Sequence, residues 1–154
     1  MTSKQIVKWC GAAAILAGVL GIANIVFGGV TGIYYAGLMA TLIAVVGIYL
    51  HQRKPAGTLG LIGFALAAIG LVLSIVGIPG VSELAYGLGM IVVAIAALRA
   101  GSFPAWIPWL WIGAVIIGIS GGFLAGLQNV LFPLSSILFG LGLIGAGTVL
   151  WNPS

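Results

Sequence analysis

Between Lys8 and Arg53 lie 44 residues without a charge, and between Lys54 and Arg99 lie another 44 in which Glu83 is the only one. No other feature of the chain narrows its structure as much. As a helix rising 1.5 Å per residue, each stretch would reach about 66 Å, twice the ~30 Å hydrocarbon core of a bilayer. Each must therefore cross, turn and return. Runs rich in Gly, Pro and Ser supply the turns: "GGVTG" at 28–32 and "IPGVSE" at 78–83. A third, "AGLQN" at 125–129, divides the uncharged last 55 residues. The pattern predicts an all-α integral membrane protein with six transmembrane helices, near 9–28, 33–50, 58–78, 83–98, 106–124 and 130–150. They form three consecutive hairpins (9–50, 58–98 and 106–150) of a single transmembrane domain spanning 1–154.

Composition agrees, since the chain is 62% hydrophobic and only 4% charged, where soluble domains carry roughly 25% charged residues. The order of basic and apolar residues in "MTSKQIVKWCGAAAILAGVL" resembles a signal peptide. No A-x-A cleavage site follows it, so it reads as an uncleaved first helix. The net charge of +4 has no basic stripe or tail behind it, and nucleic acid is not expected as a partner.

In the six-helix layout Lys4, Lys8, Arg53, Lys54 and Arg99 share one face and Glu83 falls on the other. Basic residues near helix ends mark the cytoplasmic side. Lys8, Arg53, Lys54 and Arg99 thus serve as topology anchors, with both termini cytoplasmic in a multi-pass protein of the inner (cytoplasmic) membrane. All five tryptophans fall near the inner face, and Tyr34, Tyr35 and Tyr86 near the outer one. Rings with an apolar body and a wet polar tip favour such interfaces.

Small residues recur every three or four positions. The first helix has Gly11, Ala14, Gly18 and Gly21, and the third has Gly60, Gly63, Ala67, Gly70, Ser74 and Gly77. The fifth continues with Ala114, Gly118, Gly121 and Ala125, while "GLM", "GLGM" and "GLGL" recur in helices two, four and six. Such stripes let another backbone come close, so Gly18, Gly21 and the 60–77 series are read as helix-packing seams.

Polar chemistry is sparse. Asn24 is the most polar group inside a helix, and an interhelical hydrogen bond is its expected role. Glu83 suits the positive N-terminal end of helix four, with Ser82 as its N-cap. The only His and the only Glu fall on opposite faces, so no catalytic residues are expected. A single Cys, His and Glu supply no metal site. His51, near the inner surface, is a weak candidate for cofactor binding as an axial ligand.

The segments "GIYLHQRKPAGTLGLIGFALAAIG" and "IAALRAGSFPAWIPWLWIGA" resemble recurring motifs of a loosely defined family of small, uncharacterised bacterial membrane proteins. The matching residues are Gln52, Gly57, Leu59, Gly60, Leu61, Gly63 and Phe64, then Leu98, Arg99, Ala100, Gly101, Pro104 and Trp106, with Trp151 near the end. The chain departs from the motifs at His51, where Arg is usual, and at Ala105, where a basic residue is usual. The resemblance covers about half the chain and implies a six-helix fold without an assigned activity.

With packing surfaces and no visible site, the sequence favours a non-catalytic accessory or scaffold subunit of a larger membrane complex, respiratory or photosynthetic. Lipids and other integral membrane subunits are its expected partners. No intrinsic cofactor is expected, and lipid, quinone or pigment are candidates for contact. The alternative is a channel or carrier for a small neutral or apolar solute.

Overall fold

The computed structural model describes residues 2–124 and 126–152. They form α1 (Ser3–Val26), α2 (Thr31–Val76), α3 (Val81–Ala100), α4 (Trp106–Phe123) and α5 (Gln128–Trp151), with no strand among the described residues. All five helices are long and apolar enough to cross a membrane. Local signals set their ends. Thr2 and Gln5 form a reciprocal capping box at the start of α1. Left-handed Gly77 and Gly101 close α2 and α3.

At α3 the start differs from expectation. The helix begins at Val81, Gly80 is the N-cap, and the Glu83 carboxylate accepts from the Gly80 N–H at 2.6 Å. A carboxylate reaches back to the N-cap only from the third helical position, so the helix has to begin two residues before Glu83. Ser82 lies within the helix, 2% exposed.

The 46-residue α2 would span about 69 Å if straight. It is not straight. Gly57, with φ 56° and ψ −143°, is its one non-helical residue, in a region that a side chain makes costly. The Tyr49 and Phe64 rings stack across this break with centroids 4.6 Å apart, where an unbroken helix would hold the two residues about 22 Å apart. The chain therefore folds back on itself at Gly57, giving α2 two antiparallel arms, 31–56 and 58–76. The turn expected at 51–57 is narrower than predicted, because residues 51–56 stay helical.

The remaining contacts close a ring. The first arm of α2 lies antiparallel to α1, Gly47 against Cys10 and Gly37 near Leu20. The second arm lies antiparallel to α3, with Gly63 against Val93, Ala67 against Gly89 and Gly70 against Tyr86. Gly87 faces Val115 of α4, and Trp111 of α4 lies on Gly142 of α5. α5 returns to α1 through Gly147–Gly11 and Gly140–Gly18. Because every neighbour is antiparallel, Lys4, Lys8, Arg53, Lys54 and Arg99 gather at one end of the ring and Glu83 stands at the other.

The basic half is dense. Ile48, Met90, Val93, Ala97, Ile107, Trp111 and Leu150 are almost wholly buried there. Trp111 departs from the expected ring of interfacial tryptophans: it is 0% exposed, packs edge-on to Phe103 at 6.0 Å, and its indole N–H has no partner. Its face of α4 carries Ile107, Pro108, Ala114 and Val115 and turns inward, and Gly142 leaves room for the indole. Trp9, Trp106 and Trp109 stay exposed, and Trp9 meets Trp151 edge-on at 6.3 Å.

Candidate functional site

Toward the Glu83 end the ring loosens, and its centre holds a cavity of about 850 Å³, within the ~300–1,000 Å³ usual for small-molecule sites. It descends from the first turn of α3 to the level of Thr41, Leu71, Ala114 and Leu143, where the packed half begins. Side-chain size explains the space. Gly21 of α1 and Gly122 of α4 line it with nothing facing them, so neither helix fills the space there with a side chain. Aliphatic side chains such as Leu20, Ile33 and Leu143 form much of the wall, joined by the rings of Tyr34, Phe123 and Phe132 and by Tyr86 edge-on to Phe139 at 5.6 Å.

The polar groups of the wall are few: the hydroxyls of Thr41, Ser74, Ser135, Ser136, Tyr34 and Tyr86, the Asn24 amide and the Glu83 carboxylate. Thr41 donates its hydroxyl proton to the Gly37 carbonyl at 2.7 Å, and Ser74 donates to Gly70 at 3.0 Å. Ser135 donates across the helix pair to the Ala114 carbonyl at 2.8 Å. With those protons committed to backbone, the three hydroxyl oxygens retain lone pairs. Asn24 lines the same space, and its Oδ1 is buried with no hydrogen-bond partner. The interhelical bond expected of Asn24 is therefore not made by this oxygen. Glu83 completes the set at the mouth.

The predicted packing residues divide. Gly63, Ala67 and Gly70 form a true seam: a methyl on Gly63 would sit 2.7 Å from the Val93 nitrogen, and one on Gly70 would strike the Tyr86 backbone. Gly18 does the same against Gly140. Gly60 instead faces Ala56 across the Gly57 turn, and Ser74 lines the cavity. Two residues are corrected. No atom lies within 4 Å of a Cβ placed on Gly21 or on Gly77. Gly21 stands where the helices have diverged and borders the cavity, and Gly77 is a left-handed helix cap facing open space.

The anchors sit together at the basic end, where the Lys8 ammonium lies 4.5 Å from the centre of the Trp151 ring. His51 is engaged beside them. Its Nε2 lies 3.1 Å from the Ser102 carbonyl, to which it donates, and its ring is tilted against Phe103 at 5.2 Å. Neighbouring Gln52 is 0% exposed and accepts from the Ser102 hydroxyl at 3.4 Å, leaving its Nε2 unpartnered. His51 and Gln52 thus bind the α3–α4 connection to the α2 turn, while Arg53 and Lys54 stay exposed. Among the described residues no three His, Cys, Asp or Glu side chains cluster to hold a metal.

Sequence reasoning missed the cavity as a unit. Tyr34 and Thr41 come from α2, Tyr86 from α3, and Ser135, Ser136 and Phe139 from α5, and no local motif joins the three groups. The one available trace was the "GLGM" and "GLGL" repeats, since Gly87 and Gly140 both line the cavity.

Fold and site together define a class: a helical membrane protein whose apolar helices enclose a half-open, mostly apolar chamber. Compared with protein-family models, curated proteins and solved structures, the chain gives no match.

Proposed function

We propose that this protein binds a small, largely apolar molecule in its central chamber, as a membrane-embedded binding protein or carrier. The observation that carries the reading is the chamber of about 850 Å³, mostly apolar and bordered by Asn24, Glu83 and a few hydroxyls, at the Glu83 end of the helices. The accessory-subunit reading rests on packing surfaces together with the lack of a visible site, and the chamber favours the binding or carrier alternative over it.

The same proposal includes six membrane crossings, counting the arms of α2 separately, with both termini cytoplasmic in the inner membrane. The grouping of all five basic residues at one end supports it. The chamber then opens toward the outer face.

The chamber is tested by filling it. Gly21 and Gly122 both line it, and a Cβ on either meets nothing within 4 Å. The protein in lipid nanodiscs is titrated with the neutral fluorescent probe N-phenyl-1-naphthylamine, against empty nanodiscs as reference. Wild type should show a saturable component of about one probe per chain, and the Gly21→Phe/Gly122→Phe variant should bind at least about tenfold more weakly while unfolding normally. A wild-type signal equal to that of empty nanodiscs, or undiminished in the filled variant, overturns the reading.

A further inference from the structure

The polar groups of the chamber are matched to one ligand chemistry. Glu83 is the only carboxylate side chain in the sequence, and it stands in the chamber wall. Every Lys and Arg is at the far end of the ring; along α3 itself, Arg99 is about 24 Å from Glu83. That separation exceeds the ~8–10 Å screening length at ordinary ionic strength, so no side-chain cation offsets the charge at the mouth, which meets only the Gly80 N–H and the α3 N-terminus. Below it, the hydroxyls of Thr41, Ser74 and Ser135 have spent their protons on backbone carbonyls and keep lone pairs, and the hydroxyls of Tyr34, Tyr86 and Ser136 can also accept. Tyr34, Tyr86, Phe123, Phe132 and Phe139 stand in the same wall, and the face of an aromatic ring attracts a cation.

We propose that the chamber's ligand class is a lipophilic organic ammonium ion, its apolar body among the aromatic and aliphatic walls and its N–H groups directed to Glu83 and the acceptor oxygens. This rests on the ligand-binding reading of the chamber and specifies it. An ammonium brings up to three N–H donors and a positive charge, answering a lone carboxylate and hydroxyl oxygens able to accept together. A neutral alcohol answers the acceptors alone, and an anion would meet Glu83 as a like charge.

The test compares two fluorescent probes that differ only in that group: dansylcadaverine, a primary ammonium, and its N-acetyl derivative, a neutral amide. Both are titrated into the full chain in nanodiscs of zwitterionic lipid. Wild type should prefer the ammonium by about tenfold. Glu83→Gln keeps an acceptor for the Gly80 N–H, and it should reduce the preference to within about twofold while the acetylated probe binds as before. Should that variant fail to fold, wild type decides the matter: the preference should shrink between about 0.01 M and 1 M salt, where the screening length falls from about 30 to 3 Å. Equal affinities in wild type, a preference that survives Glu83→Gln, or one indifferent to salt overturns the ammonium assignment. In those cases acetylated-probe binding that is lost in Gly21→Phe/Gly122→Phe leaves the chamber reading standing. Saturable binding of neither probe, nor of N-phenyl-1-naphthylamine, overturns both.

Discussion

Gly18 and Gly140 face each other so closely that neither has room for a methyl group. One added to Gly18 would strike the Gly140 carbonyl oxygen, and one added to Gly140 would sit 3.0 Å from that of Gly18. Here α1 and α5 gain attraction between backbones, the main source of helix association where lipid is as apolar as the side chains. Gly18→Leu should therefore cost about 1–3 kcal/mol through overpacking. Gly21→Leu, one turn on and facing open space, should stay within about 0.5 kcal/mol of wild type or gain from helix propensity. Unfolding of the purified protein in mixed micelles against a denaturing detergent checks the pair, and equal losses at both positions would contradict the divergence of the helices.

The fold-back of α2 depends on one residue. Gly57→Ala forces a side chain into φ 56°, ψ −143°, at an expected cost of about 1–3 kcal/mol. A disulfide between Tyr49→Cys and Phe64→Cys, made in a Cys10→Ala background, reports the turn directly. It should form readily while Gly57 is kept and more slowly once Gly57→Ala is added.

Sidedness follows from the same turn. In the Cys10→Ala background, an impermeant maleimide should label Lys54→Cys only from the cytoplasmic side and Pro79→Cys only from the opposite one. Labelling of both from one side would refute the six crossings proposed here.

His51 acts as a tie between turns. His51→Ala removes the bond to the Ser102 carbonyl and the contact with Phe103. It should cost about 1 kcal/mol and speed amide hydrogen exchange at residues 101–105. Unchanged exchange there would show that Gln52 and Phe103 suffice to hold the connection.

Much of this architecture is legible in the sequence, and the limit of legibility is physical. The spacing of Lys8, Arg53, Lys54 and Arg99 and the Gly/Pro turns locate most helix ends to within a few residues, because the bilayer fixes how long an apolar run can be. The exceptions are the start of α1, which the Thr2–Gln5 capping box sets six residues before the expected position 9, and the α2 turn, where helix persists to the residue before Gly57. Which face of each helix looks inward is far less legible. These helices are apolar all round, so hydrophobic periodicity separates core from lipid face poorly, and Trp111 consequently reads as interfacial although it is buried. Glycine stripes mark close approach, yet Gly18 and Gly21 belong to one stripe and meet different surroundings. The difference is set by where α5 diverges, a property of residues more than a hundred positions away. The chamber was invisible for the same reason, being made of short sets of residues from all five helices.

The packed half beneath the chamber makes it a cul-de-sac. Under the proposed binding function, a molecule entering from the Glu83 end would meet a floor of packed side chains and leave by the same end, and its occupancy would follow concentration on that side. Passage to the other side would require the ring to part along a junction such as Gly18–Gly140 or Gly70–Tyr86. Those junctions cannot slide by a residue, because each glycine would be replaced at the contact by a side chain with no room. They can only separate. Storage or sensing thus asks nothing further of this architecture, whereas transport would ask it to open a seam outright.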